Sequence, residues 1–162
     1  MSECPIELRE SVFDDAKLIF DWRNDPLTRE ASFSNDEIPW EDHIKWFEQS
    51  LANPCRKIYI GENKQEKISF GQVRFDLISD LEAEISIVIA PEFRSKGLGS
   101  ILIKSGMEKF CSTHPGIKTI VAMIKPSNPA SKRAFQKCGF NCQKSELLKK
   151  NILAERWILK VT

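Results

Sequence analysis

The stretch "PEFRSKGLGS", residues 91–100, separates two apolar segments of the chain. The run "ISIVIA" (85–90) before it predicts a buried strand, and "ILIKSGMEKF" (101–110) after it predicts a helix. Backbone N–H groups at the start of a helix lack internal partners, and glycines let a ligand come close to the backbone. With the charges of Arg94 and Lys96 added, the stretch predicts a loop that binds phosphate or pyrophosphate.

Two common phosphate-binding motifs do not describe this loop. A Walker loop needs Lys followed by Ser or Thr after its second glycine, whereas Gly99 is followed by Ser100 and Ile101. A dinucleotide-binding fingerprint needs a glycine or alanine three residues after Gly99, where this chain has Leu102. Taken by itself, the loop is therefore open to a second interpretation, a tight turn with a solvated basic edge.

The composition fits a soluble globular protein with one domain, residues 1–162, of which 41% are hydrophobic and 29% charged. The 24 basic and 23 acidic residues give a net charge of +1, so no general positive field predicts nucleic acid as a partner. The N-terminal segment lacks the apolar core of a signal peptide, and no apolar run is long enough to span a bilayer. We therefore expect a cytoplasmic protein with no membrane partner.

The cysteines predict neither disulfides nor a metal site. Their number is odd and no Cys-x-x-Cys pair occurs, so free thiols are expected at Cys4, Cys55, Cys111, Cys138 and Cys142. With only two histidines to add, no bound metal is expected.

Hydrophobic periodicity predicts the element order β-α-α-β-β-β-α-β-α-β-β, which implies an α/β fold with a mixed sheet covered by helices on both faces. The first helix is expected to open with a capping box at Ser11–Asp14 and to end near Asn24. Residues 27–39 look irregular, and the next helix is expected from Trp40. Towards the C-terminus, Asn128 is expected to cap a short helix that has a proline at its first position.

Two motifs, in this order, resemble those of a known enzyme family. The segment "RSKGLG" (94–99) has the form Arg/Gln-x-x-Gly-x-Gly/Ala and follows the strand end "IVIAPEF" (87–93). The segment "NPASKRAFQKCGF" (128–140) comes later in the chain. Together they resemble the GNAT superfamily of acetyl-CoA-dependent N-acetyltransferases. The resemblance implies a GNAT fold, with a mixed and mostly antiparallel sheet of six to seven strands, and acetyl-CoA as co-substrate.

The resemblance also implies how coenzyme A is bound. Its pyrophosphate is expected on the N–H groups of the loop, its pantetheine arm beside the strand before the loop, and further contacts come from the second motif. The expected cofactor-binding residues are Ile87, Val88, Ile89, Arg94, Ser95, Lys96, Gly97, Leu98, Gly99, Ser100, Asn128, Ser131 and Phe135. For Asn128 a helix cap is an equally good reading, and the two roles are compatible.

A narrower resemblance concerns the acceptor. The segments "WRNDPLTREASF" (22–33) and "HIKWFEQSL" (43–51) resemble the N-acetyltransferases of nonulosonic acid biosynthesis, which acetylate the 4-amine of a UDP-linked amino-dideoxy sugar on the way to pseudaminic acid. The partner expected is thus a small-molecule amine, a nucleotide sugar first of all, and a homodimer is left open. Related segments in acetyltransferases of ribosomal protein N-termini make a protein N-terminus the alternative. The expected substrate-binding residues are Trp22, Arg23, Asn24, Arg29 and Ser34.

Trp22 and Arg23 can also be explained without a ligand, Trp22 by packing in the core and Arg23 by an ion pair at the surface. His43, on an amphipathic helix, is a weaker catalytic candidate. Arginines suit a diphosphate, and an aromatic side chain suits the face of a base or sugar.

Strand alternation predicts where the proton is handled. Glu82, Glu84 and Ser86 share one face of the strand that precedes the loop. The family resemblance implies that a glutamate here takes the amine proton, usually through water; Glu84 matches that place best and Glu82 second. A face that is simply solvated is the alternative.

The chain departs from the family at the general acid. The usual tyrosine, seven residues after the asparagine, is Phe135 here, and the only tyrosine, Tyr59, lies on another strand. Ser131 and Cys138 are the remaining donor candidates. Because of this departure, a CoA-binding module without catalysis stays as an alternative, as does an interaction domain whose loop binds nothing.

Overall fold

One mixed sheet of seven strands organises the chain. The structure is a computed structural model that describes residues 6–161. The strands are β1 (Ile6–Glu10), β2 (Arg56–Asn63), β3 (Ser69–Leu77), β4 (Glu82–Ile89), β5 (Thr119–Ile124), β6 (Asn141–Leu147) and β7 (Leu153–Lys160). The α-helices are α1 (Ala16–Asn24), α2 (Pro26–Ala31), α3 (Trp40–Ala52), α4 (Leu98–Thr113) and α5 (Pro129–Lys137). The strand order across the sheet is β1-β2-β3-β4-β5-β7-β6.

Neighbouring strands are antiparallel except for β4 and β5. These two pair in parallel from Glu82 to Glu84 on β4, opposite Thr119–Val121 on β5. Beyond Glu84, β4 continues to Ile89 with β3 on one side and, within residues 6–161, no strand on the other. The sheet therefore splits between β4 and β5. The predicted α/β fold with a mostly antiparallel sheet is confirmed.

Helices α4 and α5 cover one face of the sheet. Phe110 of α4 stacks on Phe75 of β3 with ring centroids 4.3 Å apart. Gly106 lets α4 lie close to the sheet, because a Cβ at this position would be 2.9 Å from a methyl group of Val73. Ile85 of β4 points to the same face and is buried. This layer is the larger of the two apolar clusters.

Helices α1 and α3 cover the opposite face. Ile19 and Phe47 are fully buried there against Ile60 of β2. Val88 packs against this cluster, whereas its neighbours Ile87 and Ile89 pack against the first one. The predicted division of β4 into two faces is therefore confirmed, and helices lie on both sides of the sheet.

The predicted capping box at Ser11–Asp14 is wrong by one residue. The carboxylate of Asp15 accepts a hydrogen bond from Val12 N at 2.8 Å, where a 3₁₀ turn over Phe13–Asp15 leads into α1. Asp15 rather than Asp14 caps this turn because Asp15 also forms an ion pair with Arg9 of β1. This contact is long-range, so the sequence pattern of residues 11–14 does not contain it.

Residues 27–39 are not wholly irregular, which corrects a second expectation. Helix α2 begins at Pro26, and Asp25 caps it by accepting a hydrogen bond from Thr28 N at 3.1 Å. A helix of only six residues shows no repeating apolar stripe, so periodicity does not detect it.

Membrane-spanning helices and metal-binding clusters are both absent from the part of the chain that the structure describes. Among residues 6–161, no helix is long and apolar enough to cross a membrane, and no cluster of three or more His, Cys, Asp or Glu side chains could hold a metal ion. Four of the cysteines are free thiols in the structure; Cys4 lies outside the described residues.

An ion-pair network joins β1, β2 and the start of α1. Arg9 donates to both carboxylate oxygens of Asp15, at 2.7 and 2.8 Å, and its Nε donates to Glu62. Burial alone would raise the pKa of the Asp15 carboxyl, but the hydrogen bonds from Arg9 and Val12 N outweigh burial and hold that pKa below its usual value. A carboxyl of this kind stabilises the fold above its unfolded-state pKa and loses that effect as the pH falls.

We expect Asp15→Asn to lower the free energy of unfolding at pH 7 by about 1.5–3 kcal/mol, because charge-assisted hydrogen bonds are lost. The difference from wild type should shrink as the pH falls below about 4, where the carboxyl becomes protonated in both states. Urea denaturation at pH 7 and at lower pH measures both effects. Asp14→Asn, at the exposed neighbouring residue, is the matched control. An equal loss at every pH would show that charge is not the cause.

Candidate active site

A cavity of about 750 Å³ lies beside β4 at the split in the sheet. Five consecutive residues, Ile85–Ile89, line it. Because neighbouring side chains of a strand point to opposite faces, the cavity reaches both faces of the sheet. The loop before α4 and helix α5 line one end, and residues of α1, α2, β3 and the segment after α2 line the other. One cavity thus joins the predicted cofactor loop to the predicted acceptor segment.

The cofactor loop has an unusual backbone. Ser95 and Gly97 both have positive φ, +61° and +73°, and α4 begins directly afterwards at Leu98. Left-handed residues followed by a helix turn successive N–H groups towards one concave point, which suits an anion. A Cβ on Gly97 would meet nothing within 4 Å of the protein, so the space in front of it is open. The cavity is lined here by Arg94, Ser95, Gly97, Leu98, Gly99 and Ser100.

The two basic side chains of the loop are placed differently from each other. Lys96 is exposed, outside the cavity lining, with its Nζ 5.5 Å from the centroid of the Phe93 ring. Arg94 lines the cavity, but its Nη2 already donates to Asp25 at 2.5 Å and to Thr28 Oγ1 at 2.7 Å. Burial opposes ionisation of Asp25, yet the bonds from Arg94 and Thr28 N keep its pKa below the usual value. Through this ion pair and hydrogen bond, Arg94 links the predicted cofactor loop to the start of α2.

The second motif forms the wall opposite the loop. Asn128 caps α5 by accepting a hydrogen bond from Ser131 N at 3.2 Å, and its amide donates to Ser131 Oγ at 3.1 Å. Phe135 lines the cavity and is 3% exposed, with its ring edge-on to Phe140. Cys138 donates to Ser100 O at 3.3 Å and lies outside the cavity lining. Burial raises the pKa of its thiol, which suits a structural contact.

The three predicted catalytic residues of β4 have different surroundings. Ser86 lines the cavity. Glu82 lies outside it and accepts a hydrogen bond from Arg156 of β7 at 3.2 Å. Glu84 lies between them, opposite Asp76 of β3, and has no hydrogen-bond partner among the described residues. Burial raises the pKa of Glu84, and the neighbouring Asp76 raises it further against the opposing charges of Arg74 and Arg156.

The predicted substrate residues divide into two groups. Trp22 is 5% exposed and packs in the apolar cluster under α1. The side-chain amide of Asn24 makes two hydrogen bonds with the backbone of Ile38. Neither residue lines the cavity. Arg23, Arg29 and Ser34 do line it. Arg29 donates to the backbone oxygens of Asn24 and Asn35, at 3.1 and 3.3 Å, and thereby holds the segment after α2 in place.

Sequence reasoning missed two polar residues of β3, Gln72 and Arg74, which line the acceptor end of the cavity. Both stand opposite β4, with Gln72 beside Val88 and Arg74 beside Ser86. The signal was present in the alternation of "QVRFD" (72–76), which places Gln, Arg and Asp on one face of β3. Only the pairing with β4 turns that polar face into part of a site.

We expect Gly97→Val to weaken acetyl-CoA binding at least tenfold, a loss of about 1.4 kcal/mol. A β-branched residue disfavours the positive φ, which costs about 1–2 kcal/mol, and its side chain would occupy the open space in front of the loop. Calorimetric titration with acetyl-CoA measures the effect. Ser95→Gly, which relieves strain at the other left-handed residue, is the control and should bind like wild type. Unchanged affinity in Gly97→Val would show that the loop is not the cofactor site.

Solved structures share the whole fold at low sequence identity. The spermidine N-acetyltransferase of Vibrio cholerae, in complex with CoA and spermine, superimposes with a TM-score of 0.86 at 18% identity, over 98% of this chain and 96% of that one. The aminoglycoside acetyltransferase AAC(6')-Ib, in complex with ribostamycin and coenzyme A, does so with a TM-score of 0.82 at 18% identity, over 96% and 93% of the two chains.

Sequence comparison leads to the same group of proteins. A Bacillus subtilis protein with the name "Putative phosphinothricin acetyltransferase YwnH" is 28% identical over 117 residues, which are 70% of this chain and 69% of the relative. Residues 6–141 match the family described as acetyltransferase (GNAT) domain. The predicted N-acetyltransferase class is confirmed, with acetyl-CoA as its co-substrate. Because this match covers most of its length, the chain belongs to the GNAT acetyltransferase family.

Proposed function

We propose that the protein transfers the acetyl group of acetyl-CoA to the primary amine of a small molecule, and that the reaction takes place at the split between β4 and β5. The observation that carries this proposal is the continuous cavity, which has the cofactor loop at one end and a polar chamber at the other. A donor thioester and an acceptor amine that enter from opposite ends would meet beside Ser86 and Ile87.

The donor is bound by backbone N–H groups and by basic side chains, since Arg133 and Lys137 of α5 also line the cavity. The diphosphate lies on the N–H groups at the start of α4, where no helical carbonyl competes for them. The pantetheine arm runs along Ile87–Ile89, on the side of β4 that β5 has left. Arg94 contributes through its bond to Asp25, which keeps the loop in position.

Glu84 is the proposed proton acceptor. The amine must lose a proton as its nitrogen attacks the thioester carbonyl, the new C–N bond forms and the C–S bond breaks. Because Glu84 lies outside the cavity lining, that proton reaches it through water beside Ser86. Positioned general bases accelerate a reaction by about 10²–10⁴-fold. Phe135 offers no proton, so the thiolate leaves first and is protonated afterwards, which a thiol pKa of about 8.5 permits.

We expect Glu84→Gln to lower kcat by about 10²–10⁴-fold without a change in acetyl-CoA affinity, because shape is kept and basicity is lost. In wild type, the acidic limb of the kcat profile should lie above the usual pKa of a glutamate, since burial and Asp76 raise the pKa of Glu84. Glu82→Gln, whose parent carboxylate is paired with Arg156, is the control. Full activity of Glu84→Gln at every pH would assign the proton to another acceptor, such as solvent.

For the acceptor we propose a nucleotide-linked amino sugar, with the 4-amine of a UDP-amino-dideoxy sugar as the site of acetylation. The support is the segment 22–33 and the excess of basic side chains around the cavity, which suits a diphosphate. The second candidate is the N-terminus of a protein. It is weaker because α2 and the segment after it border the chamber and are fixed there by Lys125, which donates to Glu30 O and Asn35 Oδ1.

A panel of amines decides between these acceptors. We expect thiol release from acetyl-CoA to be faster with a UDP-4-amino-dideoxy sugar than with an aminoglycoside, spermidine or a peptide amine, compared by kcat/KM. A preference for the peptide would replace the sugar proposal by N-terminal acetylation. No thiol release with any amine, together with tight acetyl-CoA binding, would favour a binding module without catalysis.

A further inference from the structure

Two arginines that line the cavity, Arg23 and Arg74, form a cation cluster with Arg56, which lies outside the lining. Arg23, Arg56 and Arg74 all have their guanidinium carbons within 5.8 Å of the Trp46 ring centroid. The carboxylate of Asp76 accepts hydrogen bonds from Arg56, at 2.5 Å, and from Arg74, at 3.1 Å. No carboxylate among the described residues pairs with Arg23. Because Arg23 and Arg74 line the cavity, an anion bound there would lie next to this cluster.

Arg23 is held in place without an ion pair. Its guanidinium carbon lies 4.0 Å from the centroid of the Trp46 ring, a stacked cation–π arrangement. Its Nη1 lies 3.3 Å from Nδ1 of His43. His43 is fully buried, and its Nε2 lies 2.7 Å from Ala16 O, a carbonyl that can only accept. The proton of the neutral ring is therefore on Nε2, and Nδ1 is free to accept from Arg23.

In this arrangement the Arg23 guanidinium is charged, but most of its N–H groups have no hydrogen-bond acceptor among the described residues. Desolvation lowers its pKa to about 10, and the nearby Arg74 and Arg56 add to the effect, so the guanidinium is still protonated at neutral pH. A guanidinium carries five N–H donors, and only one is used by the described residues. Of the Arg74 nitrogens, only Nε donates to a described residue, Asp76. Both arginines line the cavity and keep N–H donors that no described residue accepts.

A neighbouring acceptor atom indicates a second feature of the ligand. Gln72 is 4% exposed and lines the cavity, and its Oε1 has no hydrogen-bond partner. It shares the face of β3 with Arg74, two residues away. A buried carbonyl oxygen without a partner is destabilising, so a ligand that brings an N–H or O–H group here gains affinity.

We propose that Arg23 and Arg74 form an oxyanion-binding subsite at the acceptor end of the cavity, with His43 and Trp46 as positioning residues for Arg23. The amine that is acetylated therefore carries a phosphate, diphosphate or carboxylate group, and an N–H or O–H group of the same molecule reaches Gln72 Oε1. The subsite rests on the proposed function, because its anion belongs to the acceptor. A polycation such as spermidine, which lacks an oxyanion, is repelled by the two arginines.

The test is anion binding with the cofactor loop already filled. The protein is saturated with CoA and titrated with inorganic pyrophosphate, UDP, L-glutamate and spermidine in a calorimeter. We expect at least one oxyanion to bind and spermidine not to bind; pyrophosphate, UDP and glutamate identify the kind of anion. Arg23→Gln and Arg74→Met should each weaken that binding at least tenfold, about 1.4 kcal/mol, while CoA affinity stays the same. Lys45→Gln, at an exposed site on α3, removes a charge outside the cavity and is the matched control.

Two results would overturn the subsite. One is an oxyanion that binds only when CoA is absent, because it then occupies the cofactor loop. The other is unchanged oxyanion affinity in Arg23→Gln and Arg74→Met. The assay needs no turnover, so its failure is separate from a failure of acetyl transfer, which the release of thiol measures independently.

The proposed role of His43, which is to position Arg23, is tested by the oxyanion affinity of two His43 variants. His43→Phe keeps the aromatic packing and removes the acceptor for Arg23, so oxyanion affinity should fall while CoA affinity is unchanged. His43→Asn places an amide oxygen near the position of Nδ1 and should recover part of the lost affinity. If His43→Phe binds the oxyanion like wild type, or if His43→Asn recovers nothing while it remains folded by circular dichroism, the histidine does not position Arg23.

Discussion

The separation of β4 from β5 after Glu84 is the constraint on which the rest of the structure depends. A strand in the middle of a sheet normally has both edges filled by backbone hydrogen bonds, and an unfilled edge attracts another extended chain. Here the free edge faces a cavity, and such an edge suits the extended arm of a ligand. The same separation opens a passage between the two faces of the sheet. Donor and acceptor can therefore approach from opposite faces, each with its own helices.

Each face contributes a different chemistry to this passage. On the α4 and α5 face the cavity is lined by the loop before α4, by the apolar side chain of Phe135 and by the basic side chains of Arg133 and Lys137. On the α1 and α3 face the strands carry Arg74, Asp76 and Glu84 beneath Trp46. Basic side chains therefore border the passage on both faces, and the carboxylates of Asp76 and Glu84 distinguish the second face.

Local features of the sequence were sufficient for the donor end of the site. The turn at Gly97, the helix after it and the Asn128 cap each depend on residues within a few positions, so short motifs predict them. Long-range contacts account for what was missed. Asp15 replaces Asp14 as the capping acid because Arg9 lies across from it, and α2 is held by the bond of Arg94 to Asp25. Gln72 and Arg74 gain their positions only from strand pairing, which no motif within one segment contains.

The position of Arg94 changes the physical account of the cofactor loop. A basic residue in a phosphate-binding loop is usually read as a ligand of the phosphate, yet Asp25 and Thr28 already take the Arg94 guanidinium. The features of the loop that remain free to attract an anion are its backbone N–H groups and the dipole of α4, a 16-residue helix whose partial charge acts over its first turn. Asp25 is the cap of α2 and directly follows α1, the helix that carries Arg23. One side-chain pair therefore connects the loop before α4 to helices α1 and α2, so the fold itself fixes the distance between the two ends of the cavity.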